Sequence, residues 1–267
     1  MALNLFDKRA LLFLPASNPR AIAKARASDA DLVILDLEDA VKPADKESAR
    51  SAAVAAVVEQ WPMPVAIRIN GSMSEWNAAD LEAVAASRAD LVIVPRVSAA
   101  SEVVMVGSAV ARPVAAMIET AAGVLVAAEV ARVAAALIAG TNDLSADLKL
   151  PPGAGRVPLH GALQFILIAA RAAGVAAFDG VYNRLDDQAG LAAECAESRM
   201  LGFDGKSLIH PDQIGACHAA FAPSADEISL AQRLVAAATG GAERFEGGMI
   251  EAMHVDAARR LLARRDR

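Results

Sequence analysis

Short runs of β-forming residues alternate with alanine-rich helical stretches along most of this 267-residue chain. No long linker or low-complexity segment interrupts the alternation. The runs are residues 9–15, 32–38, 65–70, 91–97, 114–120, 136–140, 176–181 and 206–210. Strands that alternate with helices form parallel sheets, and strands as apolar as these are buried on both faces. The pattern therefore restricts the chain to an α/β fold.

The number of strands separates two parallel folds. Eight strand–helix repeats match a closed (β/α)8 barrel, the TIM barrel, which typically needs about 250 residues. An open, doubly wound sheet is the alternative. We predict a TIM-barrel catalytic domain over residues 1–222 and a C-terminal helical extension over residues 223–267, because the helical stretches after the last strand are too many for one closing helix.

Composition argues against several classes of protein. Hydrophobic residues make up 55% of the chain, but every apolar run is broken before the ~20 residues that a membrane span needs. No convincing secretory signal is present, so we expect a cytoplasmic protein in which Cys195 and Cys217 stay reduced. A net charge of −6 with scattered basic residues argues against a nucleic-acid partner. The expected partner is a small molecule.

Polar side chains concentrate where the predicted strands end. In a TIM barrel the carboxyl ends of all strands lie at one mouth, and active sites are built there. The polar residues at these positions are Asp36, Glu38, Asp39, Arg68, Asn70, Arg96, Glu119, Asn142, Asp143 and His210. They predict a site at this mouth.

The segment VILDLEDAV places three carboxylates at the end of an apolar strand, on Asp36, Glu38 and Asp39. Like charges at this spacing repel one another and need a cation or hydrogen-bond donors if they are buried. Arg68 and Asn70 share one face of the next strand, because side chains alternate with a period of two. We interpret Arg68, Asn70, Glu38 and Asp39 as candidate substrate-binding residues.

Glu119 and Asp143 follow neighbouring predicted strands and predict a metal site. Mg²⁺ typically takes one or two protein carboxylates and completes its shell with water and substrate oxygens. The alternative is that each carboxylate caps the helix that follows it.

Candidates for cofactor binding come from two other segments. Arg9 and Lys24 belong to a basic group around the first strand and helix, which suits an anionic cofactor tail. His210, directly before Pro211, is a further candidate contact. A solvated helix face and a structural histidine are the alternatives.

Seven segments, in order over nearly the whole chain, resemble the citrate lyase beta-subunit-like proteins of the aldolase/citrate lyase superfamily. They are RALLFLPASNPRAIAKA, ADLVILDLEDAVKPADKESAR, VAIRIN, AAMIETAAGV, GTNDLSADL, FDGV and LGFDGKSLIHPDQI, and GGMIEAMHVDAARRLL follows near the end. The resemblance implies an Mg²⁺-dependent TIM-barrel enzyme that acts on acyl-CoA substrates. It also implies a homotrimer, with the C-terminal extension packed on a neighbouring subunit.

The resemblance assigns roles to single residues. It implies that Glu119 and Asp143 hold the metal and that Arg68 contacts substrate oxygens, while Glu38 and Asp39 match an acidic pair near the metal. Glu251 stands where relatives often have an aspartate that acts across the subunit boundary as acid or base. Ser207 is a departure, because the family often carries an aromatic residue there.

We therefore expect a carbon–carbon lyase that cleaves a carboxylated 3-hydroxyacyl-CoA of the citryl-, malyl- or citramalyl-CoA type. Its products would be acetyl-CoA and a 2-oxo acid, with Arg68 and Glu251 as catalytic residues. Thioesterase or malate-synthase-like chemistry at the same site is one alternative. A non-catalytic subunit that binds a CoA ester or keto acid is the other.

Overall fold

Eight parallel strands form a closed barrel in chain order in the computed structural model, which describes residues 3–265. The strands are β1 (Ala10–Pro15), β2 (Leu32–Asp36), β3 (Val65–Arg68), β4 (Leu91–Val94), β5 (Val114–Ile118), β6 (Ala136–Ala139), β7 (Ala176–Asp179) and β8 (Gly205–Leu208). β1 pairs with both β2 and β8, which closes the sheet. The predicted TIM barrel is confirmed, and the doubly wound alternative is wrong.

Helices follow the strands. They are α1 (Pro19–Arg26), α2 (Lys46–Ala56), α3 (Asn77–Ala85), α4 (Ala100–Val110), α5 (Ala121–Ala131), α6 (Thr141–Asp147), α7 (His160–Ala173), α8 (Gln188–Leu201) and α9 (Ile214–Phe221). Local signals set their ends: Asn18 caps α1 and Pro19 opens it, while α7 and α8 stop at Gly174 and Gly202, both with positive φ. No helix among residues 3–265 is long and apolar enough to cross a membrane.

Apolar side chains from alternate strand positions fill the barrel. The strand residues of this core are Leu11, Phe13, Leu32, Ile34, Ala66, Leu91, Ile93, Ala115, Met117, Ala136, Ile138, Ala176 and Phe178. Two residues beyond Ile34, Ala66 and Met117, on the same faces, come Asp36, Arg68 and Glu119. Alternation therefore brings three charged side chains to the carboxyl-terminal end of an apolar barrel.

Some strands end earlier than the sequence pattern predicts. β2 stops at Asp36 because its carboxylate accepts the backbone N–H groups of Glu38 and Ala40, at 2.9 and 3.1 Å, and bends the chain into a turn. β4 stops at Val94, two residues before Arg96, whose φ of 50° interrupts the extended backbone. The residues beyond these ends form loops at the mouth of the barrel.

The chain divides into two compact units, residues 1–220 and 221–267. In the second unit α10 (Ala225–Ala237) packs against α11 (Ala252–Arg265). Between them, β9 (Glu243–Phe245) and β10 (Gly248–Ile250) form an antiparallel hairpin, where the sequence pattern indicated only a glycine-rich break. Glu246 and Gly247 both have positive φ, as a tight two-residue hairpin turn requires.

Candidate active site

A cavity of about 420 Å³ opens at the mouth where the strands end. Its polar lining consists of Asp36, Asp39, Arg68, Glu119, Thr141, Asn142, Asp143, Asn183 and Ser207. On the side of the barrel interior the lining includes Phe13 and Met117 of the apolar core. The structure thus brings most of the strand-end residues into one site.

The Arg68 guanidinium forms a bidentate ion pair with Asp36. Nε and Nη2 each lie 2.6 Å from a carboxylate oxygen of Asp36, and Nη1 lies 2.8 Å from Glu38 Oε2. Burial disfavours the charged guanidinium, but the attraction of Asp36 and Glu38 outweighs it and raises the pKa of Arg68. Arg68 is therefore a fixed positive charge at the cavity wall.

Lys46 fixes the loop that follows β2. Its buried ammonium group donates to the carbonyl oxygens of Leu37 and Glu38 at 2.7 and 2.8 Å, and to Asn70 Oδ1 at 2.6 Å. Asn70 Nδ2 in turn donates to Asp80 at 2.6 Å. The placement does not support the predicted substrate contact of Asn70, because its amide is engaged by Lys46 and Asp80, away from the cavity lining.

Arg96 links the two predicted metal ligands. Its backbone N–H donates to Glu119 Oε1 at 2.7 Å, and its Nη1 donates to Asp143 Oδ1 at 2.8 Å. The left-handed backbone at Arg96 is uncommon for a residue other than glycine. Glu119 is buried and Asp143 is partly exposed, and both line the cavity. One residue therefore holds both carboxylates at the mouth.

Neither carboxylate caps the helix that follows it. α5 begins after Thr120, whose Oγ1 accepts the N–H of Gly123 at 3.0 Å. α6 begins after Gly140, and Asp143 lies within its first turn without a side-chain capping bond. The capping alternative is therefore wrong for both carboxylates. Gly140 is required for another reason, since a Cβ there would collide with the Glu119 carboxylate.

The donor set fits a hard divalent cation. Burial raises the pKa of Glu119 to about 7, with added repulsion from Asp143, and burial raises the pKa of Glu38 to about 8. A cation beside these carboxylates would relieve both effects. Within residues 3–265 no group of three His, Cys, Asp or Glu side chains could enclose an ion. Water and ligand oxygens would complete the shell, as Mg²⁺ prefers.

Two of the predicted cofactor-binding residues lie away from the mouth. Arg9 precedes β1, at the amino end of the barrel, where its backbone N–H donates to Asp31 at 2.8 Å. Lys24 is exposed in the last turn of α1. This placement does not support a cofactor site with these two residues, since α1 runs from the mouth toward the opposite end.

His210 follows β8 at the mouth. Its Nδ1 accepts the backbone N–H of Asp212 at 3.2 Å and so begins the helical turn over residues 211–213. This hydrogen bond is the structural role that the sequence left open as an alternative.

Glu251, the predicted proton carrier, belongs to the second unit and comes directly after β10. Its backbone N–H donates to His254 Nδ1 at 3.0 Å. The catalytic role of its carboxylate stays a prediction.

Sequence reasoning missed the roles of Arg96 and Lys46. Arg96 carried a usable signal, because it follows a strand end as the other site residues do. Lys46 carried none, because it lies in a helix and its contact with Asn70 spans 24 positions.

A second group of charges, the outer ion cluster, consists of Lys206, Asp179, Glu194, Arg156 and Glu197. Lys206 Nζ lies 2.7 Å from both Asp179 Oδ2 and Glu194 Oε1, and Arg156 lies 2.9 Å from Asp179 and 2.7 Å from Glu197. Lys206 and Asp179 are fully buried on the outer faces of β8 and β7, since Phe178 and Ser207 face inward. The cluster attaches α8 to the barrel.

Comparisons with known proteins identify the family of this chain. Residues 9–211 match the HpcH/HpaI aldolase/citrate lyase family, and residues 159–266 match the C–C bond lyases of the TIM-barrel fold. A (3S)-malyl-CoA thioesterase of Cereibacter sphaeroides is 40% identical, over 96% of this chain and 94% of the relative. Citrate lyase subunit beta of Escherichia coli is 33% identical, over 96% and 93%.

A solved structure covers nearly the whole chain. Protein CitE from Mycobacterium tuberculosis, in complex with magnesium, acetoacetate and coenzyme A, is 35% identical with a TM-score of 0.88, over 98% of this chain and 100% of that chain. A citrate lyase beta subunit from the same organism, complexed with oxaloacetate and magnesium, gives a TM-score of 0.76 at 36% identity, over 83% and 100%. The predicted resemblance is confirmed: this chain belongs to the HpcH/HpaI aldolase/citrate lyase family of carbon–carbon lyases.

Proposed function

We propose that the protein cleaves the carbon–carbon bond of a 3-hydroxyacyl-CoA that bears a carboxylate, with Mg²⁺ held by Glu119 and Asp143. The observation that carries this proposal is the joint placement of the two carboxylates and Arg68 on one cavity at the mouth of the barrel. CitE with bound magnesium and coenzyme A supports the choice of cofactor and substrate class.

The chain's own residues supply charge and orientation. A bound Mg²⁺ would act as a Lewis acid toward the substrate's carboxylate and hydroxyl oxygens. Arg68, fixed by Asp36 and Glu38, places positive charge where negative charge develops as the bond breaks. Glu38 and Asp39 would bind the water ligands of the ion, which adds a second layer of contacts around it.

The reaction balances without a further reactant. The hydroxyl group on C3 gives its proton to water, the C2–C3 bond breaks, and C3 becomes the carbonyl carbon of a 2-oxo acid. The electron pair of that bond stays on C2 as the enolate of acetyl-CoA. Protonation of C2 then gives acetyl-CoA, and we assign this proton transfer to Glu251 of a neighbouring copy.

Hydrolysis of the thioester is the second candidate, favoured by the 40% identity to a (3S)-malyl-CoA thioesterase. In this reaction water attacks the thioester carbonyl, the C–S bond breaks, and the products are the free hydroxy acid and coenzyme A. The same charged groups would serve, because both reactions develop negative charge on oxygen at the acyl portion.

Product analysis separates the two reactions. Purified protein with Mg²⁺ is incubated with malyl-, citramalyl- and citryl-CoA, and the products are identified by mass spectrometry. We expect acetyl-CoA and the matching 2-oxo acid from at least one substrate, and loss of turnover when a chelator removes the metal. Coenzyme A and the intact hydroxy acid as the products would establish the thioesterase instead.

We further propose a homotrimer in which the C-terminal extension packs on a neighbouring subunit. Apolar side chains on α4, α5 and α7 support association, because they are 43–78% exposed on helices that pack side by side. They are Val104, Met105, Leu125, Phe165 and Ile168. A cytoplasmic location is part of the proposal, and the free thiols of Cys195 and Cys217 agree with it.

Subunit mixing tests both the assembly and Glu251. We expect Glu119→Gln and Glu251→Gln to be inactive alone and to regain activity when co-expressed. About one quarter of the sites would combine an intact Glu119 with an intact Glu251 from another chain, because each condition is met in half of the chains. Full activity of Glu251→Gln, no recovery on mixing, or a monomeric mass in sedimentation would contradict the proposal.

A further inference from the structure

Ser207 lines the cavity and carries a buried hydroxyl group. The residue lies on β8, lines the cavity and is only 2% exposed. Its Oγ has no hydrogen-bond partner among the described protein atoms. Buried polar groups are almost always hydrogen-bonded, because an unpaired one destabilises the fold. An unpaired hydroxyl on a cavity wall therefore indicates a partner that comes from the ligand.

The side chains that line the inner side of the cavity with Ser207 do not accept a hydrogen bond from its hydroxyl group. Phe13 and Met117 line the same side of the cavity. The Phe13 side chain has no hydrogen-bonding atom, and the Met117 sulfur is only a weak acceptor. The Arg68 nitrogens bond to Asp36 and Glu38, so Arg68 acts on the ligand through its positive charge and not as an unpaired donor. A ligand oxygen that reaches this depth would find the Ser207 hydroxyl free to donate.

The size of the cavity decides which part of the substrate reaches Ser207. The coenzyme A arm is long and must extend outward through the mouth, since the interior beyond the cavity is packed with apolar side chains. The small acid portion is the part that fits beside Phe13 and Met117.

We propose that Ser207 Oγ donates a hydrogen bond to an oxygen atom of the 2-oxo acid portion of the substrate, and that Ser207 is a specificity-determining residue. The inference rests on the proposed function, because it takes the acid portion to be held in this cavity by an ion on Glu119 and Asp143. Ser207 acts by direct contact with the substrate.

Calorimetric titration of pyruvate, glyoxylate and oxaloacetate, each with Mg²⁺, tests the contact. The acid that binds wild type most tightly is used for the comparison. We expect Ser207→Ala to raise its Kd about tenfold, because one hydrogen bond to a charged acceptor is lost. The KM of the acyl-CoA substrate should rise as well. Ser87→Ala is the matched control: Ser87 is also buried, but its Oγ donates to the Val84 carbonyl at 2.8 Å, outside the cavity lining. Its Kd should equal that of wild type.

Thermal unfolding without ligand gives an independent readout. Ser207→Ala should unfold at the same or a higher temperature than wild type, because it removes an unpaired buried hydroxyl, whereas Ser87→Ala should unfold at a lower one. An unchanged Kd in Ser207→Ala would show that the bound acid does not accept a hydrogen bond from this hydroxyl, and the inference would be wrong. If wild type binds none of the acids and turns over none of the acyl-CoA substrates, the proposed function fails and the inference fails with it.

Discussion

Replacing Glu119 by glutamine is expected to reduce turnover of the acyl-CoA substrate at least about a thousandfold, because a metal Lewis acid typically contributes several kcal/mol to the barrier. The glutamine Oε1 can still accept the N–H of Arg96, so the local structure should persist. What is lost is the anionic oxygen that would hold the ion. Steady-state kinetics with saturating Mg²⁺ measure the effect.

Metal-dependent stability separates this loss from unfolding. Wild type should unfold at a higher temperature when Mg²⁺ is added, and Glu119→Gln should show no such increase. Without metal, the variant should be at least as stable as wild type, because a neutral amide replaces a buried carboxylate. The control is Glu129→Gln, an exposed carboxylate on α5, which should behave as wild type. Near-normal turnover in Glu119→Gln would overturn the metal assignment.

Replacing Lys206 by methionine is expected to lower the free energy of unfolding by about 3–5 kcal/mol, because it removes the buried cation that pairs with both Asp179 and Glu194 and leaves Asp179 with Arg156 alone. Lys206 is fully buried, and its ammonium group lies 2.7 Å from both Asp179 and Glu194. Methionine keeps most of the volume, so the lost charge accounts for the effect. Denaturant titration measures it, and the exposed Lys24→Met should change stability by less than about 0.5 kcal/mol.

The loss of unfolding free energy in Lys206→Met should become smaller at low pH. Burial opposes ionisation of Asp179, but Lys206 and Arg156 outweigh it and hold the pKa of Asp179 below its ordinary value of 3.8. In wild type the ion pair therefore contributes fully above pH 3.8 and is lost as the pH falls further. In Lys206→Met the attraction of Lys206 is gone and that of Arg156 remains, so the pKa of Asp179 should be higher than in wild type. As the pH falls, Asp179 should therefore be protonated first in the variant. A deficit independent of pH would show that packing, and not charge, is responsible.

The fold was predictable because its signal is local and repeated. Each strand is an apolar run, and the polar residues that end β2, β3 and β5 converge because parallel strands present their carboxyl ends together. This rule placed Arg68, Glu119 and Asp143 at one mouth, where the structure has them. The boundaries were harder, because the Asp36 carboxylate and the positive φ at Arg96 end strands that composition alone would continue.

The contacts that hold the site together could not be predicted in the same way. The Lys46–Asn70 hydrogen bond and the pairing of Lys206 with Asp179 join residues 24 and 27 positions apart, and no spacing rule connects them. Lys206 also lies inside β8, and a charged residue within an apolar run does not predict a buried ion pair. The β9–β10 hairpin was missed because three-residue strands are too short to show alternation.

The residue at position 96 has to bond to both Glu119 and Asp143, and Arg96 makes the two bonds with different atoms. The bond to Glu119 comes from the backbone and depends on a φ of 50°, which glycine and asparagine adopt readily, whereas the bond to Asp143 needs a long cationic side chain. Although its side chain is 51% exposed, this residue is subject to constraints normally found in a protein interior. Among homologues that share the site, position 96 should therefore vary little. A substitution that keeps the backbone hydrogen bond to Glu119 should lose the side-chain bond to Asp143, and the reverse.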